Sequence, residues 1–183
     1  MRIISGAFRG KKMILPDSKI TRPTSDKAKE SLFNLLENFL KAHEKSWADI
    51  CFLDAFAGSG NIGIEAISRG CQEVFFVEKS SKTFKVLCQN LPVKAHCWNI
   101  DVLNIGKAKK PADIVFLDAP YHQGLIEPAI QVLCRRKWID ENTLIITETE
   151  VKEELDLPLL TLMEKREYGR ACFSFFYLKT KEN

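Results

Sequence analysis

Several patterns that mark specialised classes of protein are missing from this chain of 183 residues. No apolar run approaches the roughly 20 residues that a membrane-spanning helix needs. The basic, mixed N-terminus lacks the layout of a signal peptide. Internal repeats, low-complexity tracts and domain linkers are also missing. The length suits one globular α/β unit with a small addition.

Patterns typical of metal sites and disulfide frameworks are missing as well. The six cysteines include no Cys-x-x-Cys pair, and the three histidines are not clustered. Because a zinc site needs grouped Cys and His ligands, we expect no metal site. Scattered cysteines are typical of reduced thiols, which predicts a cytoplasmic protein. Their positions are Cys51, Cys71, Cys88, Cys97, Cys134 and Cys172.

Acidic residues are scarce near the N-terminus. Residues 1–30 hold eight Lys or Arg against three Asp or Glu, a net charge of +5, so the remainder carries −2 of the total of +3. A basic segment on a near-neutral body is typical of a protein that contacts nucleic acid, although a solvated lysine-rich surface is the alternative. We predict RNA contacts from Arg2, Arg9, Lys11 and Arg22.

The rest of the chain alternates between strand-like and helix-like segments. Seven strands are predicted, at 51–54, 74–77, 94–98, 114–117, 144–147, 157–164 and 172–178, after two short N-terminal strands at 2–5 and 12–15. Helices are predicted from an N-cap at Ser25 to about residue 44 and over 62–69, 82–90 and 125–134. The alternation predicts a doubly wound, mostly parallel sheet with helices on both faces, and the short final link makes the last two strands antiparallel.

A glycine-rich turn follows the first strand of this sheet. The apolar run that ends at Asp54 leads into Gly58-x-Gly60-x-x-Gly63 and then a helix, which is the context of a nucleotide-type cofactor loop. Glycine permits close approach to a ligand, and free N–H groups at a helix start favour a polar or anionic group. A tight turn without a ligand is the alternative. Glu78, at the end of the next strand, favours the cofactor, since a ribose diol needs an acceptor there.

Carboxylates stand at the ends of four predicted strands. In an open α/β sheet these ends share the edge where ligands bind. Four acids at one edge repel one another unless each binds a donor, so the pattern predicts a ligand site, although a helix cap or loop carboxylate is the alternative for any one of them. The four residues are Asp54, Glu78, Asp101 and Asp118.

The sequence Asp118-Ala119-Pro120-Tyr121 suits transfer of a group to an exocyclic amine. Asp118 and a backbone carbonyl of the turn can accept hydrogen bonds from the amino group and orient its lone pair. Tyr121 can stack on a flipped base, and Pro120 fixes the turn between them. An ordinary proline turn with a surface tyrosine is the alternative.

These motifs together resemble the class I S-adenosylmethionine-dependent methyltransferases, and more narrowly the bacterial family that methylates the N2 amine of a guanine in 16S ribosomal RNA. The resemblance covers nearly the whole chain. Its motifs are Met1 to Gly6 with Phe8 to Lys11, Arg22 to Thr24 with Glu30 to Asn34, Asp54 to Gly60, Glu65 to Gly70, and Tyr168-Gly169.

The resemblance implies a seven-stranded methyltransferase domain at 25–183 with a reversed last strand, and a basic N-terminal hairpin or arm at 1–24. It implies S-adenosylmethionine as cofactor, with Glu78 on the ribose and Asp101 by the adenine amine. The cofactor loop would contribute Asp54, Phe56, Ala57, Gly58, Gly60 and Asn61. Asp118, Pro120 and Tyr121 would be catalytic, the substrate would be 16S rRNA in the small ribosomal subunit, and the protein would be a monomer.

One departure from the family pattern concerns the catalytic loop, where the usual Asp-Pro-Pro-Tyr or Asp-Pro-Pro-Phe has Ala119 at its second position. This position supplies backbone more than side chain, so we expect activity with a less rigid loop, at a lower rate or on a drifted target. The alternatives are a nicotinamide-dependent oxidoreductase, a non-catalytic RNA-binding relative, and methylation of adenine N6 or cytosine N4.

Overall fold

The computed structural model describes residues 1–16 and 25–179. Seven strands and four α-helices alternate along the described chain, with short 3₁₀ turns at Trp47–Asp49 and Val102–Asn104. The strands are β1 (Cys51–Asp54), β2 (Glu73–Val77), β3 (His96–Trp98), β4 (Ile114–Leu117), β5 (Leu144–Glu150), β6 (Leu160–Tyr168) and β7 (Ala171–Leu178). The helices are α1 (Asp26–Ala42), α2 (Asn61–Ser68), α3 (Ser81–Asn90) and α4 (Ile126–Arg135).

The strands form one sheet in the order β3-β2-β1-β4-β5-β7-β6. Strands β1 to β5 pair in parallel, whereas β7 runs antiparallel to both of its neighbours, β5 and β6. The chain order reverses between β1 and β4, which creates the crevice where open α/β sheets bind ligands. The predicted doubly wound sheet and its reversed last strand are therefore confirmed.

Both faces of the sheet are covered by helices. Strands β1 and β4 are apolar except for the last residue of β1, and every residue in them is buried, as expected of central parallel strands. Alternate residues point to opposite faces: Phe52 and Phe116 pack with α1, α2 and α3, whereas Leu53 and Leu117 pack with α4. The two cores hold the carboxyl ends of β1 and β4 rigidly beside each other.

The largest differences from the predicted strand boundaries are in β5 and β6. Strand β5 continues through Glu150, so Glu148 lies within it and not after it. The extension follows from pairing, because Glu148 and Glu150 face Phe173 and Ala171 of β7 across an antiparallel ladder. Strand β6 begins at Leu160 instead of residue 157, and a register shift lies between Leu162 and Glu164.

The N-terminal segment, residues 1–16, contains one antiparallel bridge, between Arg2 and Lys12. The two strands predicted at 2–5 and 12–15 are reduced to this bridge. The reason is that side chains of the helices take several of the backbone N–H groups of this segment. Ile4 and Ser5 donate to the carboxylate of Glu65 at 2.8 and 3.0 Å, and Ile14 donates to Asn90 Oδ1 at 2.8 Å. Residues 1–16 still turn back on themselves, with Ile3 N donating to Lys11 O and Gly10 N to Ile3 O, and they also pack on the helices. The predicted boundary at residue 25 adjoins residues outside the described part.

A buried ionic network fastens this segment to the domain. Lys29 of α1 is fully buried, and its ammonium donates to Arg2 O at 2.7 Å, Asn61 Oδ1 at 2.8 Å and Glu65 Oε2 at 3.0 Å. Arg69 Nε contacts the other oxygen of Glu65 at 3.0 Å. Burial is the main cause that lowers the pKa of Lys29, and the charge of Glu65 opposes it. All three donors of Lys29 are used, which is the condition for tolerating a buried charge.

Replacing Lys29 with Met is expected to lower the free energy of unfolding by about 3 kcal/mol, because it leaves the buried carboxylate of Glu65 without one of its charged partners. Lys27→Met is the matched control, since Lys27 is exposed on the same helix. Urea unfolding of both variants measures the difference. Equal losses would show that the network does not stabilise the fold.

Candidate active site

Two glycines that follow β1 stand where another residue would not fit, one because of its backbone conformation and one because of close packing. Gly60 precedes α2 with φ of 87°, in the left-handed region, and its N–H donates to Ala57 O at 2.7 Å. Gly63 lies against β2, where an added Cβ would come within 2.2 Å of Phe76 Cε1. The spacing of these glycines therefore serves the turn and the close packing of α2 on the sheet.

Asp54 ends β1 beneath this turn and is only 2% exposed. Its Oδ2 accepts a hydrogen bond from Gly63 N at 3.0 Å, in the first turn of α2. Burial raises the pKa of Asp54 to about 7, and the charges of Glu78 and Glu148 add to the effect. Asp54 therefore links the end of β1 to the start of α2, and its carboxyl group titrates near neutral pH.

Glu78 follows β2 and organises the loops on either side of it. Its Oε2 accepts from Gly58 N at 2.9 Å, and its Oε1 accepts from Ser80 N at 2.6 Å. Burial raises the pKa of Glu78, and these two hydrogen bonds oppose the rise. Each carboxylate oxygen keeps a further lone pair, so the group can still accept from a diol.

Asp101 stands at the start of the 3₁₀ turn Val102–Asn104, beyond β3. Its Oδ1 accepts from Leu103 N at 3.0 Å, and its Oδ2 forms an ion pair with Lys79 Nζ at 2.8 Å. The Lys79 hydrogen bond is the largest cause that lowers the pKa of Asp101. This acid is thus ionised and already paired, unlike Asp54.

Asp118 follows β4 at the same edge. The last residue pair between β4 and β5 is Leu117 with Thr147, so the register brings Asp118 beside Glu148, which is 2% exposed. Burial raises the pKa of Asp118 well above its usual range, and the charges of Glu148 and Asp54 raise it further. Three carboxyl groups therefore lie at one edge of the sheet, and the charges of Glu148 and Asp54 disfavour the ionised form of Asp118.

A cavity of about 570 Å³ brings most of the predicted site residues together. This size is typical of a small-molecule pocket. Ile100, Val102 and Leu103 form an apolar part of its lining, to which the loop from Asp118 to Tyr121 also contributes. The predicted residues that line it are Phe56, Gly58, Glu78, Asp101, Asp118, Pro120 and Tyr121.

The other predicted cofactor residues stand behind the cavity wall. Asp54, Ala57 and Gly60 shape the turn through the hydrogen bonds described above. Asn61 accepts from Lys29 through its side-chain oxygen and thus belongs to the buried ionic network. The glycine motif alone could not separate lining residues from supporting ones, because both occur in the same turn.

Three of the predicted RNA-binding residues, Arg2, Arg9 and Lys11, lie in the N-terminal segment and are not among the residues that line the cavity. Arg9 is exposed. Arg2 Nε pairs with Asp26 at 3.2 Å, and Lys11 Nζ donates to Asn90 O at 2.8 Å, so both have partners within the protein. Arg22 lies outside the described residues.

Some functional candidates were missed by the sequence analysis. Ser80, Thr83 and Gln123 also line the cavity. His122, which follows Tyr121, has φ of 58°, donates its backbone N–H to Glu153 Oε1 at 3.0 Å and places its Nε2 at 3.3 Å from Glu150 Oε2. Proximity to the Asp118 motif was the only signal for Gln123 and His122 in the sequence.

A second cavity, of about 700 Å³, lies at the opposite end of the central strands, before β4 and β5. Lysines form much of its wall, and it shares no residue with the first cavity. Within residues 1–16 and 25–179, no group of three or more His, Cys, Asp or Glu side chains could hold a metal ion. In the same part of the chain, no helix is long and apolar enough to cross a membrane.

Replacing Asp54 with Asn should make stability less dependent on pH. The pKa of Asp54 is about 7 in the folded protein and near 3.8 when unfolded, so the folded state binds the extra proton between these values. The free energy of unfolding of the parent protein therefore falls as the pH rises from 4 to 7, by up to about 1.4 kcal/mol for each pKa unit. The Asn variant lacks this loss.

Denaturant unfolding at pH 5 and pH 8 measures the effect. The Asn variant is expected to gain stability relative to the parent protein at pH 8, since Asn can still accept from Gly63 N. An identical difference between the two proteins at both pH values would contradict the raised pKa of Asp54.

Comparisons with known proteins agree with this geometry. The sequence family described as Conserved hypothetical protein 95 matches residues 1–177. The chain is 37% identical to Ribosomal RNA small subunit methyltransferase D of Haemophilus influenzae, over 96% of this chain and 93% of the relative. It is 35% identical to the protein of the same name from Escherichia coli strain K12, over 85% and 77% of the two chains.

Solved structures share the same architecture. The yhhF protein of Escherichia coli superposes with a TM-score of 0.81 and 31% identity, over 98% of both chains. An RNA methyltransferase from Salinibacter ruber, solved with S-adenosyl-L-homocysteine, has a TM-score of 0.67 at 12% identity, over 88% of this chain and 97% of the other, which is evidence for the fold alone. The chain therefore has the class I methyltransferase fold and belongs to the Conserved hypothetical protein 95 family, which confirms the resemblance found in its motifs.

Proposed function

We propose that the protein is an S-adenosylmethionine-dependent methyltransferase that modifies the exocyclic N2 amine of a guanine in 16S rRNA. The observation that carries this proposal is the group of acids at one edge of the sheet, the buried Asp54 and Glu148 with the partly buried Asp118, next to a cavity of about 570 Å³. The charge of Glu148 raises the pKa of both Asp54 and Asp118, and the charge of Asp54 also raises the pKa of Asp118. A cationic ligand would relieve this repulsion.

The cavity residues fit S-adenosylmethionine, which supplies an electrophilic methyl group on a positively charged sulfur. Glu78 would hold the ribose hydroxyls through its remaining lone pairs. The apolar part of the lining, Ile100, Val102 and Leu103, would contact the adenine. Asp101 stands at the same end but is already paired with Lys79. Adenine contact through Asp101 would therefore have to share or displace that ion pair.

The loop from Asp118 to Tyr121 would position the acceptor amine. Asp118 lines the cavity and would accept a hydrogen bond from the amino group, which orients the nitrogen lone pair toward the cavity. The buried Ala119 and the cavity-lining Pro120 shape the turn, and Tyr121 offers a face for the flipped base. The amine can lose its proton after the methyl group has arrived, so no strong base is required.

The rival cofactor, a nicotinamide dinucleotide, fits these charges poorly. Its pyrophosphate is an anion, and a site for it normally offers free N–H groups at the glycine turn. Here Gly58 N already donates to the carboxylate of Glu78, and Gly60 N to Ala57 O. An anionic ligand would also meet the acids that a cationic ligand neutralises.

The choice of ribosomal RNA rests on relatives, and the choice of guanine on the family motifs. Homologues at 35 and 37% identity are named as methyltransferases of ribosomal RNA of the small subunit. Guanine N2 is the target that the family motifs imply, and adenine N6 and cytosine N4 are the other amines that the same loop could serve. We propose that the enzyme acts as a monomer on the small ribosomal subunit, in the cytoplasm.

The deciding experiment uses labelled S-adenosylmethionine with undermethylated small ribosomal subunits and naked 16S rRNA in parallel, followed by nucleoside analysis. N2-methylguanosine is the expected product. Methyladenosine or methylcytidine would correct the target, whereas cofactor binding without transfer to either substrate would indicate a non-catalytic relative. Binding of NAD in place of S-adenosylmethionine would contradict the proposal.

Asp118→Ala is expected to lower the rate of methyl transfer by about 100-fold or more, because the amine loses the acceptor that orients it. Affinity for S-adenosylmethionine, measured by calorimetry, should fall much less than the rate, because Asp54, Glu78 and Glu148 remain. Asp156→Ala is the matched control, since Asp156 is exposed and not among the cavity residues. Activity of the Asp118 variant close to that of the control would remove Asp118 from the catalytic site.

Arg9→Ala should weaken binding to 16S rRNA regardless of the RNA sequence and should reduce the salt dependence of that binding. The reason is that the exposed guanidinium of Arg9 would bind a backbone phosphate. Arg22→Ala, a predicted contact outside the described residues, should behave in the same way. Titrations at several salt concentrations measure both effects. Unchanged slopes for both variants would mean that the N-terminal segment does not contact the RNA.

A further inference from the structure

We propose that α3 extends the N-terminal segment into one basic surface that binds the phosphate backbone of the substrate, with Lys82 and Lys85 as its central contacts. This inference rests on the proposed function in one respect, namely that the substrate is RNA. We call this surface, formed by residues 1–16 and 79–96, the α3 surface.

The α3 surface has an unusual composition. Neither residues 1–16 nor residues 79–100 contain a single Asp or Glu, although the chain has 24 of them. Eight Lys or Arg side chains occur in the two segments that form the surface: Arg2, Arg9, Lys11, Lys12, Lys79, Lys82, Lys85 and Lys94. A stretch with one sign of charge creates a field that attracts a polyanion over distances beyond single contacts.

The two segments are one surface because they are bonded to each other at the end of α3. Asn90 is buried and both accepts from Ile14 N, at 2.8 Å, and donates to Ile14 O, at 2.9 Å. Lys11 Nζ donates to Asn90 O at 2.8 Å. Asn90 Nδ2 also donates to Ser59 O at 3.0 Å, which ties the junction to the glycine turn.

The cations at the centre of this surface are available to a ligand. Lys82 and Lys85 are exposed and lie three residues apart, on one face of α3, while Leu87 on another face is buried. Within the described residues, Lys82, Lys85 and Lys94 form no ion pair, whereas Arg2 pairs with Asp26 and Lys79 with Asp101. Phosphate groups would therefore meet them without first displacing a carboxylate.

The α3 surface begins at the cavity itself. Ser80, the N-cap of α3, and Thr83 in its first turn both line the cavity. From there the helix extends about 15 Å toward the N-terminal segment. A strand whose target base entered the cavity could thus run along Lys82 and Lys85 toward Arg9.

The other rim of the cavity is unsuited to phosphate. Beside the catalytic loop, the carboxylates of Glu150 and Glu153 surround His122 at 3.3 and 3.0 Å, and the exposed Glu154 follows. Like charges there would repel an RNA backbone. The distribution of charge therefore assigns the path of the strand to the α3 side.

The test compares two double variants that remove the same charge. Lys82→Gln with Lys85→Gln neutralises the α3 surface, and Lys107→Gln with Lys109→Gln neutralises two exposed lysines of the second cavity, at the opposite end of the strands. The probe is unmodified 16S rRNA transcript, titrated between 50 and 400 mM salt. Thermal melting and calorimetry with S-adenosylmethionine verify that each variant is folded and binds the cofactor.

The α3 variant is expected to bind the transcript more weakly and to reduce the magnitude of the slope of log K against log salt by about 1.4, since each phosphate contact on a single strand contributes about 0.7. The control variant should keep the parent slope. Methylation of small subunits by the α3 variant should show a raised KM with little change in kcat, because the lysines do not touch the reacting atoms.

Three results would overturn the α3 surface as an RNA contact. One is an unchanged slope for the Lys82 and Lys85 variant; another is an equal loss in both variants, which would indicate a general charge effect. Weaker binding to assembled subunits with unchanged binding to naked transcript would instead indicate contact with a ribosomal protein. If the parent protein makes no N2-methylguanosine but the slopes still differ, the proposed reaction fails and the RNA surface stands.

Discussion

The carboxyl ends of β1 and β4 form the constraint on which the rest of the site depends. These adjacent parallel strands are buried on both faces, and each leads into an acid, Asp54 and Asp118. Pairing with β5 adds Glu148 to the same edge. Like charges close together at a largely buried edge disfavour ionisation, and burial with neighbouring charge raises the pKa of both Asp54 and Asp118.

The loops around this edge are held by the acids that were predicted to bind the cofactor. Glu78 joins the glycine turn to the start of α3, and Asp54 joins β1 to α2. Asp101 caps a turn and pairs with Lys79. These side chains hold the loops of the pocket, and some of them also line it. The motif alone could therefore not separate lining residues from supporting residues. Lys29 likewise joins several parts of the chain, because its ammonium links α1 to residues 1–16 and to α2.

Prediction from the sequence was most successful where local chemistry decides the outcome. Continuous apolar runs predicted β1 and β4 with their observed bounds, and Ser25 caps α1 by accepting from Ala28 N at 3.1 Å. It was least successful where a distant partner decides. The predicted N-terminal strands are reduced to one bridge because Ile4 and Ile14 donate to Glu65 and Asn90. Strand β5 is longer than predicted because β7 pairs with its last residues.

What the sequence by itself determined is the order of the elements, the glycine turn, the strand-end acids and the resemblance to a family, because periodicity and short motifs are local properties. Tertiary structure alone decided which of those residues line a cavity and which support it. It also placed Glu148 beside Asp118 and joined α3 to residues 1–16 through Asn90. These relations depend on strand register and helix packing between residues far apart in the chain, which no local pattern records.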